Sequence, residues 1–199
     1  MSNGIKVKKR NGRGIEPLDL EKIHNMVEMA CEGLAGVSAS QVEIQSGIQF
    51  YDGITTGEIQ EILIRSASDL ISLDNPNYQF VAARLLLFSL RKSLYGKMRE
   101  LPHLEEHIYS CTNLEVYDRD IFTKYSKEEI DKVNGYIDHE RDFLFTYAGL
   151  RQVVDKYLVQ DRSTGKVYET PQFMYMMIAL TIFADYSKER RLNYVRRYY

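Results

Sequence analysis

The sequence predicts an α+β chain that is mainly helical: a β-hairpin capping a four-helix cluster, then a helical region with one short β-hairpin. Three observations lead there. Asn11-Gly12, where both residues tolerate φ > 0, separates Ile5 and Val7 from Ile15 and Leu18, as in a hairpin. Apolar residues then recur at helical spacing in segments that open on cap signals. A second turn signal, Ser163-Thr164-Gly165, interrupts that pattern inside YLVQDRSTGKVYET and joins two short strands.

Asp19 caps an expected helix over 20–34, with Ile23, Val27, Ala30 and Leu34 on one face and Gly33 near its end. Ser38 or Ser40 caps a second, bearing Val42, Ile44, Ile48 and Phe50. Thr55 and Glu58 have capping-box spacing and open a third, whose apolar side is Ile59, Ile62, Leu63, Leu70 and Ile71. Asn75-Pro76 supplies a cap followed by a proline suited to the first helical position. The long helix it opens runs through Val81, Leu85, Phe88 and Leu90, with Gly96 as its stop. That glycine is the expected boundary between a small domain, 1–96, and a helical region, 97–199. Downstream, Pro102 opens a helix, Ser126 and Glu129 form another capping box, and 144–157 form a helix with Leu150, Val153 and Val154 inside. Thr170-Pro171 opens an apolar helix and Ser187 a final basic one. The last segment, RRLNYVRRYY, carries no helix-stop signal, as a fragment of a longer protein would not.

Composition narrows the function classes. With 199 residues, 44% hydrophobic and 27% charged, the chain can bury a core as one domain or two small ones. Basic and acidic residues number 26 and 28, a net charge of −2, which argues against a general binder of nucleic acid or membrane surfaces. Any anion site must be local. The two cysteines, Cys31 and Cys111, lie far apart without metal-ligand spacing, so the natural setting is a reducing cytoplasm. The N-terminus lacks the apolar run of a signal peptide, and the most apolar stretch, 173–184, is too short to span a bilayer.

Enzyme motifs are missing: there is no Walker A loop, GxGxxG, GxSxG or HExxH. His103 and His107 have i, i+4 spacing that could chelate a metal, but one pair lacks the three or four ligands of a zinc site, and a polar helix face is the favoured reading. Asp138, Glu140, Arg141 and Asp142 read as a solvated helix cap. Lys188, Arg190, Arg191, Arg196 and Arg197, interleaved with Tyr194, Tyr198 and Tyr199, could serve phosphates and bases. An amphipathic helix whose Leu192, Val195 and Tyr199 face a core is the favoured alternative. In VKKRNG, residues 7–12, side chains alternate, so Lys9 shares a face with Val7 while Lys8 and Arg10 share the other. Taken alone, a basic hairpin of this kind is more often solvated than a ligand site.

A resemblance changes that weighting. V-x-K-R-N-G followed by Leu18-Asp19-Leu20-Glu21-Lys22-Ile23 resembles the opening of an ATP-cone, the regulatory nucleotide-binding module of many ribonucleotide reductase large subunits. The likeness continues through IQFYDGITTGEI (48–59) and DNPNYQFVAARLLLFSLRKSLYG (74–96). Beyond the cone, 139–175 and 191–199 resemble the following stretch of class Ia large subunits, so the likeness covers essentially the whole chain.

The resemblance implies an allosteric segment, with ATP as activator and dATP as inhibitor, accompanied by Mg2+. It places Lys9 and Arg10 at the nucleotide, Glu16 at a ribose or base contact, Lys22 and Lys92 at phosphates, and Thr56 at the start of the third helix. Gln60 and Ser89 stand where relatives often carry histidines; both hydrogen-bond, but neither can charge. The implied partners are the remainder of the large subunit, the radical-generating small subunit and further copies in a homo-oligomer, with no nucleic acid and no membrane. The family's catalytic cysteines and glutamate lie downstream of this stretch, as does most of its barrel. The expectation is therefore no catalytic residue, no metal site and no redox cofactor in this chain, and no reductase activity from it alone. A stand-alone ATP-cone interaction domain is the alternative. A cone-bearing repressor would need a ribbon of four cysteines that the sequence lacks.

Overall fold

A computed structural model describes residues 4–9 and 14–199. The chain divides into two compact units: Met1–Ser89 with Phe143–Arg151, and Leu90–Asp142 with Gln152–Tyr199.

The first unit opens with strands β1 (Lys6–Lys8) and β2 (Ile15–Pro17), paired antiparallel with Val7 opposite Glu16. Val7 points into the core and its neighbours point out, as strand alternation requires. The expected turn residues, Asn11-Gly12, lie outside the described residues, as does Arg10. The free edge of β1 does not meet solvent: Lys8 N–H donates to the Ile54 carbonyl at 2.8 Å, Gly53 N–H to Lys6 at 2.8 Å, and Lys6 N–H to Asp52 Oδ1 at 2.8 Å. A parallel bridge joins Lys8 to Thr55. Gly53 makes this junction at φ +83°, a conformation that side-chain-bearing residues rarely adopt.

Helix α1 (Leu20–Cys31) follows Asp19, whose Oδ1 accepts from Lys22 N–H at 3.1 Å. It ends before the expected 34, and Gly33 and Gly36 turn the chain at φ +72° and +73°. Helix α2 (Ala39–Gly47) buries Val42 and Ser46, while Ile44 and, just past the helix, Ile48 are 69% and 84% exposed. Helix α3 (Thr56–Asp69) carries the complete Thr55/Glu58 capping box. Helix α4 (Tyr78–Tyr95) starts just after Asn75-Pro76. Gly96, at φ +73°, ends it and donates to the Lys92 carbonyl at 3.0 Å. The core of this unit collects Val27, Ala30, Val42, Ile54, Leu63, Val81 and Leu87, all fully buried.

Gly96 therefore ends the helix, but the two units divide inside α4, between Ser89 and Leu90. Phe143–Arg151 joins the first unit, where the Phe143 ring meets Phe88 edge-on at 5.9 Å and lies 5.7 Å from the Arg84 guanidinium.

The second unit contains α5 (Leu104–Asn113), α6 (Ile121–Lys124), α7 (Lys127–Asn134), α9 (Pro171–Ile182) and α10 (Lys188–Tyr198), after α8 (Tyr147–Gln152), most of which belongs to the first. A 3-10 turn covers His139–Leu144. The single helix expected over 144–157 is instead α8 followed by a π-helical turn, Val153–Tyr157. Strands β3 (Gln160–Asp161) and β4 (Lys166–Val167) pair as expected around Gly165 at φ +72°. The core packs Leu104, Ile108, Ile130, Val133, Phe173, Met176, Leu180 and Val195. Among the described residues, no helix is long and apolar enough to cross a membrane.

Candidate functional site

The junction between the hairpin and α3 is the candidate site in the first unit. Two main-chain hydrogen bonds and the Lys8–Thr55 bridge tie β1 to the segment entering α3. Lys9, just past β1, is thereby held near a helix N-terminus, the natural place for an anion. Its Nζ lies 3.0 Å from Glu16 Oε2 across the hairpin, and both side chains are partly exposed. Lys22, in the first turn of α1, reaches Asp19 Oδ2 at 2.9 Å. The hydrogen bond between them lowers the Asp19 pKa and raises that of Lys22. Exposed pairs of this kind stabilise little, so both cations are available for exchange.

Thr56 is the first residue of α3 and half-buried. Ahead of it, Thr55 N–H donates to Glu58 Oε2 at 2.8 Å and Glu58 N–H to Thr55 Oγ1 at 3.1 Å. Those bonds from Thr55, then Tyr51, hold the Glu58 carboxyl below its usual range, with Lys8 adding a smaller electrostatic effect. Lys8 keeps its side chain in solvent, while its backbone does the pinning. Gln60 and Ser89 are buried partners: Ser89 Oγ donates to Gln60 Oε1 at 3.0 Å, and Gln60 Nε2 approaches Met26 Sδ at 3.8 Å. Lys92 lies in the last turn of α4, exposed, and belongs to the second unit. Lys9, Glu16, Lys22 and Thr56 are thus carried by the first unit, and Arg10 lies outside the described residues.

Several sequence readings are revised in the second unit. Asp142 is not part of a solvated cap. It is 1% exposed, and Oδ2 accepts from Arg91 Nη2 at 2.9 Å. A signal for this existed: Arg91 continues the apolar stripe of Leu87 and Phe88 at helical spacing, where an arginine needs a buried partner. His103 and His107 do not converge on a metal. His103 Nδ1 accepts from Glu105 N–H at 3.3 Å, capping α5, while His107 stacks on Phe173 with ring centroids 4.2 Å apart. His103, Glu105 and Asp131 do cluster. The cap bond, however, already occupies His103 Nδ1, and Lys127 Nζ sits 3.4 Å from Glu105.

Burial pushes the Cys31 thiol up to about 11 and Cys111 to about 12, so neither is an activated nucleophile. The basic C-terminal stretch forms the amphipathic helix α10, with Val195 fully buried. Arg191 departs from both readings: it is 3% exposed, donates through Nε to Glu129 Oε1 at 2.8 Å, and covers the Tyr125 ring at 4.3 Å.

Comparison with known proteins gives two family matches along the chain. Residues 5–93 match the ATP cone domain, and residues 143–199 match the ribonucleotide reductase all-alpha domain. Over all 199 residues the chain is 47% identical to the ribonucleoside-diphosphate reductase subunit alpha of Haemophilus influenzae. It is 46% identical to the ribonucleoside-diphosphate reductase 1 subunit alpha of Escherichia coli K12. The subunit alpha of Enterobacteria phage T4 is 42% identical over 186 residues, or 92% of this chain. The chain spans about a quarter of the length of these relatives: 26% of the first two and 24% of the phage protein. The chain is thus similar to part of a ribonucleotide reductase alpha subunit, with a stretch matching the ATP cone followed by a stretch matching the all-alpha domain.

Proposed function

We propose that this chain senses adenine nucleotides for a ribonucleoside-diphosphate reductase, with ATP as activator and dATP as inhibitor. The observation that carries the proposal is the hairpin-to-α3 junction, which places Lys9 beside a capped helix start inside the region matching an ATP cone. A triphosphate carries about four negative charges and needs cations from separate elements. Lys9 and Arg10 come from the hairpin, Lys22 from α1 and Lys92 from α4. Lys9 and Lys22 rest on Glu16 and Asp19. Binding exchanges those carboxylates for phosphate oxygens. The freed Glu16 then turns to the ribose or base, and Thr56 meets the nucleotide at the α3 N-terminus. A Mg2+ accompanies the triphosphate, held chiefly by phosphate oxygens and water.

Reduction itself belongs to the assembled enzyme. The partners are the remainder of the large subunit, a radical-generating small subunit and further copies of the assembly, in the cytoplasm. The match over 143–199 weighs against a stand-alone cone domain. Calorimetry with ATP and dATP on this chain tests the reading. Measurable binding of both is expected, weakened at least tenfold by Lys9→Ala or Lys22→Ala. Absence of heat with either nucleotide would refute it. Mixing this chain with the rest of the large subunit and the small subunit should give nucleotide-responsive reductase activity.

A further inference from the structure

The second unit contains a cavity of about 440 Å³ that the nucleotide reading does not use. Its wall along α9 is apolar. Met174, Ile178 and Ile182 are four residues apart and so form one stripe down that helix, with Met177 beside them. Exposure rises along the stripe, from 7% to 37% to 51%, so the cavity has a buried end at Met174 and an open end at Ile182. At about 1.5 Å per helical residue the stripe runs about 12 Å. Val116 and Tyr157 complete the wall.

A buried carboxylate also lines this cavity. Glu169, two residues ahead of α9, is 1% exposed. Its Oε1 accepts from Val159 N–H at 2.7 Å, and its Oε2 accepts from the Tyr117 hydroxyl. Each carboxylate oxygen has two lone pairs, so both can accept once more. Among the described residues, no cation pairs with Glu169. The Tyr117 hydroxyl lies 3.1 Å from His107 Nε2, but burial keeps that imidazole neutral above about pH 4. Burial pushes the Glu169 pKa up, against the two hydrogen bonds. A carboxylate so placed gains most from an incoming positive charge. The exposed part of the lining repeats the sign. Asp118 and Asp120 both line the cavity, while the lining cation, Lys124, lies 3.5 Å from Asp185 Oδ1.

We propose that this cavity binds a small organic cation, a protonated primary amine whose ammonium pairs with Glu169 and whose apolar stem lies along Met174, Ile178 and Ile182. Charge complementarity selects this occupant. An anion would meet three carboxylates and one lysine that already has a partner, and a neutral ligand would leave Glu169 without a counter-charge. An ammonium brings three donors to the open lone pairs of Glu169. The cavity has the character of a small-molecule site, which typically encloses roughly 300–1,000 Å³ behind apolar walls with a few placed polar groups. The proposal is independent of the nucleotide reading.

Titrating the full chain with n-hexylammonium, n-hexanol and n-hexanoate, read by the methyl NMR signals of Met174 and Met177, tests it. The three probes share a stem and differ in charge. Hexylammonium should shift both methyls and saturate in the millimolar range or below, with hexanol at least about tenfold weaker and hexanoate weaker still. Glu169→Gln keeps the shape of the side chain and should bring hexylammonium and hexanol to within about twofold of each other. Ile178→Lys puts a cation at a partly exposed position of the stripe, where the fold tolerates it, and should weaken hexylammonium at least about fivefold. If Glu169→Gln does not fold, Ile178→Lys decides. Hexanol binding as tightly as hexylammonium, no methyl shift with hexylammonium, or an undiminished affinity for it in the folded variants would overturn the proposal and leave the nucleotide reading intact.

Discussion

Lys9 and Lys22 each come to the proposed site with a counter-ion attached, and this sets how a nucleotide competes for them. Asp19→Asn keeps an N-cap side chain for α1 but releases the Lys22 charge. ATP affinity should rise about two- to fivefold at low salt, with the gain shrinking at high salt, as measured by calorimetry across ionic strengths. A second prediction concerns His107. Burial, with a further contribution from His139, pushes its pKa down to about 4. Unfolded, it would take up a proton near 6.5, so between pH 6.5 and 4 the unfolded chain binds the extra proton and the folded chain does not. Stability must fall as pH drops through that window, by on the order of 3 kcal/mol for a group so buried. His107→Gln should flatten this slope in thermal melts between pH 4.5 and 7.5. At this scale the sequence was readable where the bond is local, as with Asp19 capping α1. It was not readable for Arg91 and Asp142, which are 51 positions apart, because a burial partner is chosen by the fold.

The elements that sequence reasoning placed best are those announced by local chemistry. The Thr55/Glu58 and Ser126/Glu129 boxes both form, since their bonds lie within four residues. Thr55→Ala should cost about 1 kcal/mol in chemical denaturation and also loosen the anchorage of β1. Gly53→Ala should cost a similar amount, about 1 kcal/mol, because φ is +83° there rather than because of crowding: the added methyl would meet only Lys8 Cε, at 3.9 Å. Periodicity was a weaker guide. In α2 the apolar residues do not mark one buried face: nine residues supply only a narrow buried stripe around Val42 and Ser46, and Ile44 is exposed. Over 144–157 it could not register the change from α- to π-helical bonding, which leaves the apolar pattern almost unaltered.

Across the whole chain the mainly helical class, both hairpins and the order of elements were legible, because caps and turns punctuate the sequence. The division into units was not, since it depends on Phe143 returning to Phe88. Nucleotide linkage should follow that division. ATP at about a hundred times its Kd adds about 2.7 kcal/mol to whatever it binds. Hydrogen exchange should therefore slow in α1 and α3 and change less in α5 and α7. The chain passes from the first unit into the second within an unbroken helix of 18 residues. Proteases need locally extended, accessible chain and cut such a helix slowly. Limited digestion should leave the peptide bonds around residues 89 and 90 intact. A truncation placed there by design would cut α4 between Phe88 and Arg91, both buried, and bring a core aromatic and an unpaired charge into water.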